Sequence, residues 1–245
     1  MKYLDMLTKL GVGNAHPGGY EKTLLQLEKY PLQAGSKVLE VGCGTGRTAC
    51  LLAEQGCEVT ALDIRPEMLD KARIRAQTLE LTVRFVEGDA CSLPFEEGEF
   101  DIVLVESVTN FTDTSKAVSE YNRVLRPGGK LFDREVIRWK KMPAKAERAL
   151  CDFYGVKGLL SMEEWQHTLE SQGFTAVSSD DVVPFPPYMW EDAIRHPDPV
   201  KLADHAILMD PQVWRLSSEY DQLMEKYYEY LGYAVFMGTK ASGVN

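Results

Sequence analysis

No apolar run in this 245-residue chain approaches the roughly 20 residues needed to cross a bilayer. The opening stretch MKYLDMLTKLGVG lacks the apolar core and cleavage site of a secretory leader, so no exported or membrane-bound protein is expected. Basic residues are in deficit: 27 Lys and Arg stand against 37 Asp and Glu, a net charge of -10. That balance argues against a nucleic-acid partner, which needs a positive face. The one compact basic cluster, RWKK at Arg138–Lys141, reads as a solvated helix face. Cysteines are few, odd in number and without a CxxC pair: Cys43, Cys50, Cys57, Cys91 and Cys151. They argue against a disulfide framework and fit reduced, mostly core-packed thiols in a cytoplasmic protein. No metal site is expected, and repeats and low-complexity tracts are lacking.

What the chain does have is alternation. With 44% hydrophobic and 26% charged residues it can bury a full core. Strand-like KVLEV (Lys37–Val41), CEVTAL (Cys57–Leu62), VRFVE (Val83–Glu87) and FDIVLVE (Phe100–Glu106) are separated by helix-like Arg47–Gln55 and Pro66–Leu79. After a helical Thr114–Leu125, RPGG (Arg126–Gly129) reads as a sharp turn before a fifth strand at Lys130–Val136. Ser161–Ser171 is a helix with capping-box spacing between Ser161 and Glu164, and Phe174–Val183 is a sixth strand. Residues 184–232 carry Pro-punctuated helical pieces with Trp190, Trp214, Tyr220, Tyr227, Tyr228 and Tyr230, and Tyr233–Lys240 is a last strand. The pattern predicts an α/β fold, a parallel sheet with helices on both faces. It predicts one domain of 1–245: an N-terminal helical segment (1–36), a sheet core (37–183 and 233–245) and a helical insert (184–232).

The chemistry concentrates in VLEVGCGTGRTA, Val38–Ala49. A strand enters a turn whose glycines, Gly42, Gly44 and Gly46, allow close ligand approach, and the following helix offers unpaired N–H groups. The Gly-x-Gly-x-Gly spacing is neither the Gly-x-Gly-x-x-Gly of a dinucleotide fold nor a Gly-Lys-Ser/Thr phosphate loop. Asp63 closes the second strand, where a carboxylate can accept both ribose hydroxyls of an adenosine. Asp89, in EGDA after the third strand, is placed to accept from an adenine amine. Both could instead be turn or cap residues, and Glu106 could be a solvated strand end.

Together these residues resemble the class I S-adenosylmethionine (SAM)-dependent methyltransferases of small-molecule type. VLEVGCGTG, TALDI, EGDA, FDIVLVES and LRPGGKL carry the resemblance, over roughly Lys37–Val136. It implies a Rossmann-like seven-stranded, mostly parallel sheet with an antiparallel last strand, an N-terminal lid and S-adenosylhomocysteine (SAH) as product. By the same resemblance Glu40, Gly42 and Gly44 would line the methionine of SAM, with Gly46 easing the turn. Asp63 would hold the ribose, Ile64 and Met68 would pack near the adenine, and Asp89 and Ala90 would meet its edge. Glu106 would face the methionine amine or sulfonium.

On the acceptor side no signature stands out. GVGNAHPGGYEKT (Gly11–Thr23) resembles lid segments of the family, and His16 is either a base or donor toward the substrate or a turn cap. His167 reads as solvated, while His196 and His205 could reach the pocket. Arg134 or Glu135 could join its rim. The insert aromatics could roof the site, pack a satellite core or form a homodimer face. The acidic balance, and SVTNF in place of an Asn/Asp-Pro-Pro-Tyr/Phe tetrapeptide, disfavour nucleic-acid methylation. The expected function is methyl transfer to a small-molecule acceptor. The alternatives are a non-catalytic SAM- or SAH-binding protein, a methyltransferase acting on a macromolecule, and an NAD-dependent oxidoreductase, which the glycine spacing disfavours.

Overall fold

The computed structural model describes residues 1–185 and 191–242; Trp190 lies outside them. Among the described residues seven strands form one sheet: β1 (Lys37–Val41), β2 (Glu58–Asp63), β3 (Arg84–Glu87), β4 (Phe100–Glu106), β5 (Leu125–Arg138), β6 (Phe174–Pro184) and β7 (Leu231–Lys240). Their order is β3-β2-β1-β4-β5-β7-β6. The pairs from β3 across to β5 are parallel, and β7 runs antiparallel to both of its neighbours. Strand order therefore reverses between β1 and β4, which opens a crevice at their carboxyl ends.

Burial follows strand parity. Leu39, Val103 and Leu131 pack on one face with Tyr121 of α5 (Thr114–Val124) and Trp165 of α7 (Met162–Ser171). Val38, Leu104 and Phe132 pack on the other with Leu52 of α3 (Arg47–Glu54), and Leu69 of α4 (Pro66–Thr78) closes that face. Central strands covered on both faces need nearly continuous apolar sequence; in KVLEV every residue after Lys37 is buried. Glu40 is the polar exception. Trp165 stacks on Phe236 of β7, with ring centroids 4.9 Å apart, and its helix opens with the Ser161–Glu164 capping box.

Two features depart from the sequence pattern. RPGG does not precede the fifth strand as a separate turn: β5 starts at Leu125 and runs through it. Leu125 pairs with Phe100, the register shifts, and pairing resumes at Ile102 with Lys130. Gly128, with φ +77, absorbs the bulge. The sequence pattern also assigns no element to 142–160, yet α6 (Ala144–Tyr154) lies there. It presents Ala146 and Leu150 to a satellite core with Met142, Phe185 and Met224.

Ahead of β1 stand α1 (Tyr3–Leu10) and α2 (Gly19–Lys29); between β6 and β7 the insert carries α8 (Glu191–Arg195) and α9 (Pro211–Tyr227). Tyr220, Tyr227 and Tyr230 pack against the satellite core. Trp214 instead lies 60% exposed, its ring N–H donating to Leu208 O at 2.7 Å. No described helix is long and apolar enough to cross a membrane.

Candidate active site

The glycine turn follows β1 and opens into the crevice. Gly42, Gly44 and Gly46 all hold left-handed backbone, with φ of +71, +53 and +73. They are not equivalent. A Cβ on Gly42 would collide with Val108, and one on Gly46 would lie 2.9 Å from Ala72 Cβ, whereas one on Gly44 would meet nothing within 4 Å. Gly44 therefore borders open space. Asp63, at the end of β2, fixes the turn from beside it: Oδ2 accepts from the Gly44 N–H at 2.8 Å and Oδ1 from the Arg65 N–H at 2.9 Å. Burial raises the Asp63 carboxyl above the ordinary carboxylate range, against the lowering effect of those two N–H groups.

A cavity of 540 Å³ extends from this turn, within the roughly 300–1,000 Å³ range of cofactor and small-molecule sites. Glu40, Gly42, Gly44, Asp63, Ile64 and Met68 line one end. Asp89 and Ala90 join them from beyond β3, and Glu106 from the end of β4. The structure thus gathers all the residues picked from sequence for the cofactor except Gly46, which packs against α4 behind the turn. Asp89 also serves its own loop, accepting from the Cys91 N–H at 2.8 Å. Glu40 Oε2 is buried without a hydrogen-bond partner. Burial pushes its carboxyl well up, and the nearby Glu106 and Asp63 push it further.

Glu106 is not a solvated strand end. Its Oε1 accepts from Thr23 Oγ1 at 2.6 Å and its Oε2 from Thr48 Oγ1 at 2.9 Å, tying α2 and α3 to β4. His16 is buried and lines the cavity beside it. His16 Nε2 lies 3.2 Å from Thr23 Oγ1, and Nδ1 lies 3.4 Å from Pro17 O. Burial lowers the His16 pKa below its usual value, offset in part by Glu106.

The other end of the cavity is apolar and aromatic. Tyr3 and Leu7 come from α1, Tyr154 from α6, and Tyr220 from α9, with Leu159 and Phe185 beside them. Tyr3 meets Tyr154 edge-on at 5.0 Å and stacks on Tyr220 at 6.5 Å. Of the readings for the insert aromatics, Tyr220 fits two at once, since it packs the satellite core and faces the cavity. Tyr3 and Tyr154 carry no chemical motif, so the sequence offered only the amphipathic pattern of α1 and α6 as a signal, and Leu159 lies outside any helix.

Two other residues depart from expectation. Arg134 and Glu135 do not reach the rim. Arg134 is buried under α2, donating to Lys22 O, Gln26 Oε1 and Asp181 Oδ2 at 3.1, 2.9 and 2.7 Å. The bulge of β6 at Asp181, φ +49, brings that carboxylate in. Glu135 is turned to the other side, accepting from the Val108 and Thr109 N–H groups at 2.7 and 2.6 Å. His167 and His205 are exposed and away from the cavity, and His196 packs edge-on to Tyr20 outside it. Glu21, Asp192 and His196 can bring one ligand atom each within 4.8 Å of one another. Both Asp192 oxygens, however, already accept from the Tyr20 and Glu21 N–H groups at 2.9 Å, capping α2.

A methyltransferase-domain family model matches residues 39–133. The chain is 34% identical over 239 residues to the uncharacterized methyltransferase YodH of Bacillus subtilis, covering 98% of this chain and 99% of that protein. It is 29% identical over 210 residues to the 27-O-demethylrifamycin SV methyltransferase of Amycolatopsis mediterranei, covering 78% and 77% of the two. A solved structure, phosphoethanolamine N-methyltransferase 2 of Haemonchus contortus with phosphomonomethylethanolamine and SAH, shares the fold with a TM-score of 0.79 at 22% identity. That match covers 98% of this chain and 57% of the other.

Proposed function

Since the chain belongs to the class I SAM-dependent methyltransferase family, we propose that it transfers a methyl group from SAM to a small, largely apolar acceptor by direct displacement, with SAH as product. The observation that carries the acceptor class is the two-ended cavity: glycine turn and acidic strand ends at one end, a tyrosine-lined apolar chamber at the other. Sites that bind apolar molecules combine such walls with a few placed polar groups. A relative named for a small-molecule acceptor, 27-O-demethylrifamycin SV, supports the size class.

The residues present fit SAM. Glu40 Oε2 is buried with no donor of its own, and Gly44 leaves open space where a side chain would stand. Asp63 would accept the ribose hydroxyls, Ile64 and Met68 would cover the adenine, and Asp89 with Ala90 would read its edge. Glu40, Gly42, Gly44 and Glu106 would surround the methionine. When bound, SAM supplies a methyl carbon already activated by its sulfonium. The protein's share is orientation and exclusion of water, with His16 between the two ends of the cavity as the candidate base. Residues 1–36 act as the lid, and the insert adds cover through Phe185 and Tyr220.

Calorimetric titration with SAM, SAH and NAD(H), followed by SAH-release assays on apolar compounds bearing hydroxyl, amine or thiol groups, tests this. SAM and SAH binding with turnover of a small apolar acceptor is expected. Tight NAD(H) binding without SAM binding would overturn the cofactor, and turnover confined to polar or macromolecular acceptors would overturn the acceptor class.

A further inference from the structure

We propose that Asn110 sets specificity for the methyl acceptor: its side-chain carbonyl oxygen, Oδ1, receives a hydrogen bond from a hydroxyl or N–H group of that molecule. The identity of the bound molecule as a methyl acceptor rests on the methyltransferase reading; the free carbonyl does not.

The loop after β4 joins the two ends of the cavity. Ser107, Val108, Asn110, Phe111 and Thr112 all line it. Val108 packs against Gly42 so closely that a Cβ there would collide, which ties the loop to the glycine turn. Asn110 Nδ2 donates to Val136 O at 2.8 Å, and Val136 packs with Tyr154 and Tyr220 at the satellite core. Asn110 therefore sits where the loop meets the tyrosine-lined end. The loop is also held from beneath, because the Val108 and Thr109 N–H groups donate to buried Glu135. Ser107, at its start, keeps left-handed backbone with φ +62, a conformation that persists in a residue with a Cβ only where its surroundings over-determine it.

The direction of the Asn110 amide follows from its neighbour. Val136 O can only accept, so the branch facing it is Nδ2 and the other branch is the carbonyl. Oδ1 makes no hydrogen bond among the described residues. Unlike Glu40 Oε2, it is not one of the fully enclosed atoms without a partner. Asn110 is only 7% exposed and borders the cavity, so the surface that Oδ1 keeps opens there.

A lone carbonyl beside apolar walls selects by penalty. A molecule that sets a donor against Oδ1 replaces the water it displaces, whereas one that sets an apolar group there leaves the carbonyl desolvated and unpaired. Hydroxyl and N–H groups are good donors, a thiol is a weak one, and an ether or tertiary amine has none. The acceptor class narrows to a small apolar molecule bearing a hydroxyl or N–H.

Two probes of nearly equal shape test this: 4-ethylphenol, and 1-ethyl-4-fluorobenzene, in which fluorine replaces the hydroxyl and cannot donate. Each is titrated into SAH-saturated protein and followed by ligand-observed NMR. The phenol is expected to bind about fivefold more tightly, the gain of one net hydrogen bond. Asn110→Leu should erase that preference and leave SAH affinity unchanged. A crystal structure of wild type with SAH and 4-ethylphenol should place the hydroxyl oxygen about 2.8 Å from Oδ1. Equal affinities, failure of both probes to bind, a preference that survives Asn110→Leu, or a hydroxyl seated elsewhere overturns the proposal, as does a loss of SAH affinity in Asn110→Leu. If that variant does not fold, the wild-type preference and the crystal structure decide. SAH titration of wild type separates the two readings. SAH binding without a probe preference sinks only the role of Asn110. Absence of SAH binding sinks the cofactor assignment, and the probes are then compared on the protein alone.

Discussion

Arg75 of α4 and Asp198 of the insert form a two-pronged ion pair at 2.8 and 2.6 Å, with side chains only 3% and 9% exposed. The same guanidinium donates from Nε to Thr45 O at 2.8 Å, inside the glycine turn. Arg47 adds a second tie, donating to Asn14 Oδ1, His196 O and Pro197 O at 3.0, 3.1 and 3.2 Å. Turn, N-terminal segment and insert are therefore one connected unit, although 14, 47 and 198 are far apart in sequence.

Asp198→Ala should loosen that unit. It would leave Arg75 buried without its partner, a change that costs about 3–5 kcal/mol in buried pairs. Burial works to raise the Asp198 carboxyl, yet the Arg75 bonds outweigh it and hold the group low. We expect a lower Tm and weaker SAM binding, measured by thermal melts and calorimetry. A stability loss with SAM affinity intact would show that the insert does not support the cofactor end.

Asp63→Ala removes the acceptor for the Gly44 and Arg65 N–H groups and the expected partner of the ribose. SAM affinity should fall by about 1–3 kcal/mol, the range for a lost buried hydrogen-bonded partner. Adenine alone, which has no ribose, should show a smaller loss. Unchanged SAM affinity in calorimetry would remove Asp63 from the ribose role.

The glycine-turn end of the cavity was legible in sequence because its residues sit in one turn and at strand ends. Glu40 to Gly46 run from the end of β1 through one turn, Asp63 and Glu106 each close a strand and Asp89 lies just beyond one, so recognising the strands placed them together. The tyrosine-lined end was not legible. Tyr3, Tyr154 and Tyr220 meet only because α1, α6 and α9 pack against one another, and no local spacing encodes that. Arg134 and Glu135 failed for a different reason. Strand parity puts them on opposite faces, and long-range partners, Asp181 for one and the 108–109 N–H groups for the other, hold both inside. Thr23 was missed because a single buried hydroxyl has no sequence signature.

Gly44→Ala and Gly46→Ala should part company. Both impose left-handed backbone on a residue with a Cβ, at about 1–3 kcal/mol each. The methyl of Gly44→Ala points into open cavity, so we expect SAM affinity to fall by about tenfold or more, roughly 1.4 kcal/mol. The methyl of Gly46→Ala would press on Ala72 instead, so we expect the larger Tm loss there. Equal SAM losses with equal melts would mean that the turn acts only as a rigid body.

A last prediction concerns pH. Asp133 and Glu135 are both fully buried on β5, and Asp133 Oδ2 accepts from Thr109 Oγ1 at 2.8 Å. Burial pushes the Asp133 carboxyl up to about 7, despite that bond. Burial and the Asp133 charge also raise Glu135 well above its usual range. Two buried carboxyls on one face of the strand resist carrying two charges, so the folded pair retains a proton where the unfolded chain has released it. A raised folded pKa gives stability that is complete below the ordinary value of 3.8 and is lost as pH climbs toward about 7. Asp133→Asn supplies an amide donor in place of that proton and should flatten the decline. We expect the gap in Tm between the variant and wild type to move in favour of the variant from pH 5 to pH 8, read by thermal melts across the range. Parallel curves would show that the pair does not share a proton.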